Sequence, residues 1–300
     1  MPKRTPKPKK LTYTFKSDIL FKLLFIKYPH LLKRLIAALL SIPLEHITHF
    51  QITNTEIPPE QLGKKFCRLD IHTIVNNRRV NLEIQIENQG DYPERSMFHW
   101  AKMFTSALPS GDKYSLLPQT IVISIIDFKL FDCKEVHSQF AVMETSRHEI
   151  LSDKQLYHFF ELPKMPNIDR IDLTSEKDLW LALFNAETEE ELEKLQTSGG
   201  KVMAQAIEAY RGITASEKYQ YLEWLKERAK HDEAQALYTA EKRGEKRGEK
   251  RGEKRGEKRA TEKWQGIIAN IVTEKDTALA EKDTMLAEQA RIIAELSKRR

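Results

Sequence analysis

Two short segments of alternating polar and apolar residues constrain this chain most strongly. They cover residues 66–75 (FCRLDIHTIV) and 80–87 (VNLEIQIE), with NNRR between them. A period of two residues is typical of half-buried β-strands. Because asparagine tolerates positive φ, Asn76-Asn77 suits a tight turn between two strands. The sequence therefore predicts a β-hairpin with one apolar face and one polar face.

The polar face of this hairpin carries oxygen-bearing side chains from both strands. Asp70 lies on the first strand, and Glu83 and Gln85 lie on the second. Since side chains two residues apart on a strand are roughly 7 Å from each other, the three groups can converge on one small volume. The alternative is that they line the solvent face of an edge hairpin. Burial would decide, because clustered buried carboxylates need a cation or a proton.

The segments around the hairpin predict a sheet covered by helices. Apolar residues recur at helical spacing after Ser17, a predicted N-cap, and Asp18 lies in the first turn, where the helix dipole favours negative charge. A helix is predicted over residues 94–108, and a buried strand over residues 120–126 (TIVISII). A strand, helix, strand order implies a parallel crossover. Further strands are predicted over residues 46–57, 139–143 and 157–162.

The fold class is therefore α/β, with a mixed central sheet flanked by helices, a C-terminal helical region and a short coiled coil. Changes in composition suggest five segments. They are a disordered basic arm (1–12), the α/β core (13–165), a helical domain (166–240), a linker of EKRG repeats (241–260) and a coiled coil (261–300).

The last two segments are predicted from their repeats. Each glycine of the EKRG repeat costs about 1 kcal/mol in a helix, and charge pairs return only some tenths of a kcal/mol each. The repeat is therefore either a frayed helix or a charged linker. Beyond it, apolar residues recur every seven positions, at Val272, Leu279, Leu286 and Ile293. This spacing favours a coiled coil, and with it a homo-oligomer joined through the C-terminal helices.

The net charge of +5 comes from the ends of the chain. The EKRG repeats and the first ten residues each carry five net positive charges, so the rest is slightly acidic. Affinity for nucleic acid must then come from these segments or from a local basic patch. Two cysteines, Cys67 and Cys133, provide no disulfide framework. No apolar run approaches the roughly 20 residues of a membrane span, so we expect a cytoplasmic protein without a membrane segment.

The order of the elements, with Asp on the second strand and Glu-x-Gln on the third, resembles the PD-(D/E)xK nuclease superfamily. More narrowly, the chain is similar to the Rpn-type family of recombination-promoting nucleases and transposases. The segments that carry the resemblance are SDILFKLLF (17–25), RLDI (68–71), NLEIQ (81–85), ERSMFHWAKMFTSAL (94–108) and PQTIVISII (118–126). It covers residues 10–165 closely and the helical tail more loosely, and it implies a restriction-endonuclease-like core.

The resemblance also implies a function, namely a Mg²⁺-dependent DNA endonuclease that hydrolyses phosphodiester bonds and promotes DNA recombination. Asp70, Glu83 and Gln85 would be its catalytic residues. Asp70, Glu83 and the backbone carbonyl of Ile84 would hold Mg²⁺ or another divalent cation. The superfamily usually has Lys two residues after the Glu, where this chain has Gln85. Because glutamine carries no charge, slow catalysis is expected.

Further residues are assigned by their place near this site. Lys22, Arg95 and Lys102 are candidates for contact with DNA phosphates. Asp18 is either an additional metal ligand or a first-turn helix charge, and the two readings stay open. His99 and Trp100 are expected to pack rather than to touch DNA. For His72 a structural role is favoured over support of Asp70.

Two other function classes compete with the nuclease. One is a catalytically silent DNA-binding or assembly protein that uses the basic arm, the EKRG repeats and the coiled coil. Its DNA binding should survive loss of Asp70 and Glu83 and weaken steeply with salt. The other is a transposase-like strand-transfer protein. The sequence pattern offers no separate domain for reading a DNA sequence, which counts against the transposase-like alternative.

Overall fold

The computed structural model describes residues 8–54 and 70–297. The chain divides into two compact units, residues 1–230 and 231–300. Four parts of the sequence-based predictions lie outside the described residues. They are the first part of the basic arm (1–7), the end of the predicted first strand (55–57), the start of the predicted hairpin (66–69) and the end of the predicted coiled coil (298–300).

The described residues of the first unit contain six strands and six complete α-helices. The strands are β1 (Phe50–Ile52), β2 (Ile71–Val75), β3 (Arg78–Gln85), β4 (Gln119–Ile126), β5 (His137–Ala141) and β6 (Gln155–Glu161). The helices are α1 (Asp18–Lys27), α2 (Pro29–Leu39), α3 (Tyr92–Thr105), α4 (Glu176–Asn185), α5 (Glu189–Ser198) and α6 (Gly200–Thr214). A seventh helix, α7 (Glu217–Ser297), begins in the first unit and supplies the described residues of the second.

The six strands form one mixed sheet in the order β1-β2-β3-β4-β6-β5. β3, β4 and β6 run parallel, and the other neighbours are antiparallel. Helix α3 connects β3 to β4, which is the predicted parallel crossover. The predicted α/β class, a mixed central sheet flanked by helices with a helical C-terminal region, is confirmed.

The predicted hairpin is present as β2 and β3. Val75 pairs with Arg78, and Asn76 adopts a φ of 54° in the two-residue turn. β1 is shorter than the predicted strand at 46–57, because its preceding residues bond to the turn instead. The backbone N–H groups of Thr48 and His49 donate to the side-chain oxygen of Asn76, at 2.9 and 3.1 Å.

The main hydrophobic core lies on one face of the sheet. Leu82 and Ile84 of β3 point into it, together with Phe21 of α1 and Phe184 of α4. The predicted N-cap of α1 is confirmed, since the Ser17 hydroxyl accepts from the Leu20 N–H. Helix α3 covers the opposite face, with its own smaller apolar cluster. The helices that follow the sheet therefore share one hydrophobic core with α1 and β3.

Part of the predicted basic arm is ordered. The N–H of Leu11 donates to the Glu187 carbonyl at 2.8 Å, and the N–H of Glu189 donates to the Lys9 carbonyl at 3.0 Å. The arm was predicted to be disordered through residue 12, but these backbone bonds tie it to the start of α5. Only a tertiary partner far along the chain makes this order possible.

Helix α7 runs without interruption through the EKRG repeats. Of the two alternatives for the repeat, the structure has the helix. A Cβ added at Gly244, Gly248, Gly252 or Gly256 would meet nothing within 4 Å. The glycines are therefore not required by close packing inside the described chain. Among the described helices, none is long and apolar enough to cross a membrane.

Candidate metal centre and basic groove

The register of the hairpin brings Asp70 and Glu83 to neighbouring positions. Ile71 pairs with Leu82, so Asp70, one residue earlier, lies opposite Glu83, one residue later. Residues opposite each other in an antiparallel pair share a face, with Cβ atoms about 4.5–5.5 Å apart. Both carboxylates therefore lie on the face that α3 covers. The sequence predicted this shared face, and the pattern of Ile71–Val75, in which alternate residues are buried, agrees with it.

The carboxylate of Glu83 is buried between the sheet and α3. Its residue is only 4% exposed. The Tyr92 hydroxyl donates to Oε1 at 2.6 Å, and the Ser124 hydroxyl of β4 lies 3.4 Å from the same atom. Burial and the adjacent Glu83 charge raise the pKa of Tyr92 well above its ordinary value. The phenol therefore stays protonated and serves as a permanent donor to Glu83.

Asp70 is held from its backbone and from its side chain. Its carbonyl oxygen accepts from Asn54 Nδ2 at 2.9 Å and from Lys22 Nζ at 3.2 Å. Its Oδ2 lies 2.7 Å from His72 Nε2. Burial opposes ionisation, but the His72 hydrogen bond and the charges of His72, His99 and Lys22 together hold the pKa of Asp70 below its usual value. The ionised form is the one that binds cations.

Gln85 and Arg95 form a second pair on this face. Arg95 Nη2 donates to Gln85 Oε1 at 2.8 Å, and Gln85 Nε2 donates to the Glu87 carbonyl at 3.0 Å. The Arg95 guanidinium also lies over the Tyr92 ring, 4.7 Å from its centroid. Glu83, Tyr92, Arg95 and Gln85 thus form a continuous chain of contacts. The uncharged Gln85 positions a charged neighbour.

The carbonyl of Ile84 points toward the same side as Asp70. The Gln85 carbonyl accepts from the Asp127 N–H, which directly follows β4, at 2.9 Å. Successive carbonyls of a strand point to opposite neighbours. The Ile84 carbonyl therefore points toward the β2 side of β3, where Asp70 lies.

These oxygens fit a divalent cation such as Mg²⁺. Two carboxylates and one carbonyl are hard donors, and Mg²⁺ commonly binds one or two carboxylates while keeping several waters. Among the described residues, no group of three or more His, Cys, Asp or Glu side chains is arranged to hold a metal.

A groove of about 810 Å³ opens between β2 and α3 beside Asp70. Its basic side chains are His72, Arg79, Arg95, His99 and Lys102, and its acidic side chains are Asp70 and Asp91. The fixed charges of the walls are three cations (Arg79, Arg95 and Lys102) and two carboxylates, a net of +1, and one of the carboxylates belongs to the candidate metal centre. A polyanion such as nucleic acid complements this distribution.

The structure places the remaining predicted residues as follows. Arg95 and Lys102 line the groove. Lys22 is buried, and its ammonium supports the Asp70 carbonyl. Asp18 forms an ion pair with Lys226 of α7, and its Oδ1 also accepts from the Ile19 N–H. His72 bonds Asp70, which is the supporting role that the sequence disfavoured.

Trp100 and His99, two neighbouring residues of α3, were both expected to pack, but only Trp100 does so. Trp100 packs, because its ring stacks on Phe104 with centroids 4.6 Å apart and its Nε1 donates to the Thr120 carbonyl. His99 instead lines the groove. Sequence reasoning treated both alike, since helical spacing alone does not resolve two adjacent residues at the border of a buried face.

Three further residues of the site escaped sequence reasoning. Tyr92 opens α3, Arg79 follows the hairpin turn, and Asn81 lies two residues before Glu83. Arg79 Nη1 donates to Ser106 at 3.2 Å and so crosses from the sheet to the end of α3. Asn81 is 1% exposed, and neither polar atom of its amide has a hydrogen-bond partner among the described residues. A polar residue on a strand beside two carboxylates was the available signal for Asn81.

Replacing Tyr92 by Phe should destabilise the fold by about 1.5–3 kcal/mol, because a buried carboxylate loses its shortest hydrogen bond. Urea denaturation followed by tryptophan fluorescence measures this loss. Tyr157→Phe is the matched control, since its hydroxyl accepts from Gln155 and does not touch Glu83. Equal stability of Tyr92→Phe and the parent would show that Tyr92 does not support the buried charge.

A comparison with known protein families found a match. A family model described as PD-(D/E)XK nuclease family transposase matches residues 15–240. A search of curated proteins and a search of solved structures found no significant match. The matched region includes the whole sheet, helices α1–α6 and the Asp70–Glu83 site. Members of the PD-(D/E)XK superfamily generally use divalent metal ions. Because the match covers well over half of the chain, the protein belongs to the PD-(D/E)XK nuclease family transposases.

Proposed function

We propose that this protein is a metal-dependent DNA endonuclease that hydrolyses phosphodiester bonds. The observation that carries the proposal is the register of β2 and β3, which sets Asp70, the residue before β2, opposite Glu83, with Asp70 lining the basic groove. Family membership supports a nuclease- or transposase-like role in general. A strand break is the first chemical step of recombination and transposition, so the same activity would serve either process.

Asp70, Glu83 and the Ile84 carbonyl would hold Mg²⁺ or another divalent cation. Such an ion, when bound, lowers the pKa of a water and neutralises charge on a phosphate. The chain's own residues do the positioning. Tyr92 fixes one Glu83 oxygen, and His72 keeps Asp70 ionised and oriented. Both carboxylates are thereby pre-organised, which reduces the reorganisation needed for catalysis.

Arg95 supplies the positive charge that Gln85 lacks. Gln85 occupies the position where the superfamily usually has a lysine, and it binds the Arg95 guanidinium directly. The Nε of Arg95 is buried and has no hydrogen-bond partner among the described residues. The guanidinium group lines the groove, so its charge is suited to a phosphate oxygen bound there. We propose that the Gln85–Arg95 pair replaces the lysine.

Homo-oligomerisation is proposed for helix α7. Val272, Leu279, Leu286 and Ile293 are each more than half exposed along this helix. They repeat every seven residues, so they form a stripe that a second copy of the helix can cover. The seam is narrow, because Lys275 and Lys282 flank it.

The metal-site assignment is tested by plasmid nicking. Asp70→Asn and Glu83→Gln should reduce the Mg²⁺-dependent nicking rate to the level seen with EDTA, because each removes a charged ligand of the ion. Glu94→Gln is the matched control, since Glu94 is exposed in the first turn of α3 and contributes no ligand. Both variants cutting as fast as the parent would contradict the assignment. Persistent DNA binding without cutting in the parent would favour the silent DNA-binding alternative.

The role of Arg95 is tested by single-turnover cleavage. Arg95→Gln should lower the cleavage rate at saturating protein by about 10²–10³-fold, as expected for loss of one transition-state donor. Arg95→Lys should retain more of that rate, because it keeps the charge. Lys102→Gln, a groove cation without contact to Gln85, should weaken DNA binding and reduce its salt dependence with little change in the saturated rate. An Arg95→Gln variant that behaves like Lys102→Gln would reduce Arg95 to a phosphate contact.

The oligomer is tested by sedimentation velocity. The parent should sediment as a dimer or larger species, and Leu279→Asp with Leu286→Asp should dissociate it, because charges would interrupt the apolar stripe. Tyr238→Asp places the same charge on an exposed residue of α7 that is off the seven-residue register of the stripe, and it should leave the oligomer intact. A monomeric parent over the micromolar range would exclude the proposed contact.

A further inference from the structure

The outer rim of the basic groove carries an exposed aromatic side chain, Phe98. It is 67% exposed, and the adjacent Met97 is also exposed. The Phe98 and His99 rings are nearly perpendicular, with centroids 6.0 Å apart, and most of the Phe98 side chain stays open to a ligand. Exposed single apolar residues are ordinary on protein surfaces. The position of this one, among the cations of a groove, is what requires an explanation.

Phe98 shares one side of α3 with the groove cations. Arg95, His99 and Lys102 are its neighbours at helical spacings of three, one and four residues, and all four line the groove. Tyr92 and Met103 mark the buried direction of the helix. At 100° per residue, His99 lies nearest that direction, followed by Arg95 and Lys102, and Phe98 lies farthest out. From the sheet outward the wall therefore changes from cations to an aromatic ring.

This order matches the cross-section of a nucleic-acid strand. Phosphates would lie beside the cations near Asp70, and the bases would extend toward the rim. A ring at the rim can then stack on a base, as aromatic side chains do in proteins that bind single strands. Inside a duplex the faces of a base are already covered by its stacked neighbours. Stacking on Phe98 consequently requires a base that is unpaired or turned out of the helix.

We propose that the groove selects DNA with an unpaired base beside the scissile phosphate, and that Phe98 stacks on that base. The inference rests on the proposed nuclease function, because it uses the groove beside Asp70. It adds the form of the substrate, namely single-stranded, gapped or distorted DNA. Arg95 and Lys102 hold the backbone without regard to pairing, and Phe98 supplies the discrimination.

Equilibrium binding in EDTA tests the proposal without cleavage. The full-length protein is titrated into a fluorescent single-stranded oligonucleotide and into its duplex, at one fixed salt concentration because phosphate contacts depend on salt. The parent should bind the single strand more tightly than the duplex. Phe98→Ala should weaken single-strand binding by about tenfold, the effect of losing one stacked base, and should change duplex binding by less than about twofold.

Two variants complete the test. Phe98→Tyr keeps an aromatic face and should restore single-strand binding. Tyr114→Ala removes another exposed aromatic ring that does not line the groove, and it should bind both forms like the parent. Phe98→Ala binding the single strand like the parent, or losing both forms equally, would overturn the stacking role.

Cleavage with Mg²⁺ is measured separately, so the two proposals fail in different ways. If the parent prefers single strands through Phe98 but cuts no DNA, the proposed nuclease function is excluded and the stacking site is retained. If the parent cuts duplex and single strand equally and Phe98→Ala binds DNA like the parent, the nuclease function is retained and the stacking site is excluded.

Discussion

The buried carboxylate of Glu83 is the constraint on which the rest of the site depends. An ionised carboxylate removed from water is costly unless it is hydrogen-bonded and paired. Tyr92 supplies the closest bond, at 2.6 Å, and it does so from the first turn of α3. Helix α3 must therefore begin soon after β3 and lie over it. The same placement sets the groove beside Asp70 and aligns Arg95 with Gln85.

One face of β3 packs into the main core, and the other face carries the residues of the candidate site. Leu82 and Ile84 point into the main core, where α1 and α4 pack behind the strand. Asn81, Glu83 and Gln85 point toward α3. A well-packed apolar face has low compressibility, so the polar face can keep its side chains at fixed separations. The helices after the sheet thus contribute to the site although none of the described contacts joins them to Glu83.

Periodicity alone was sufficient to predict which side chains share a face. Alternation in the hairpin placed Asp70, Glu83 and Gln85 together, and a continuous apolar run identified β4 as a buried strand. Both signals are local. Asp18 paired with Lys226, Lys22 buried beneath Asp70 and Tyr92 donating to Glu83 depend on contacts between distant elements. No spacing along the chain specifies such contacts, because they follow from how helices dock on the sheet.

The replacement of the usual lysine by Gln85 is a second case in which the sequence does not predict a contact between distant elements. From the sequence the position had lost its charge. In the fold the side chain holds Arg95 at 2.8 Å, so a cation is present beside it, supplied from the next helix. Under the proposed replacement, the motif position keeps its electrostatic role while the charge comes from another element. The contact between Gln85 and Arg95 depends on how α3 packs against the sheet, which no spacing in the sequence specifies.

The central claim is that Asp70 and Glu83 bind one divalent cation between β2 and β3. Crystals soaked in Mn²⁺ test it most directly, because the anomalous signal of manganese locates the ion without reference to activity. We expect one peak within about 2.0–2.3 Å of an oxygen from each carboxylate, with the Ile84 carbonyl as a further neighbour. Ordered carboxylates with no peak between them at saturating Mn²⁺, or a peak bound by other residues, would contradict the claim.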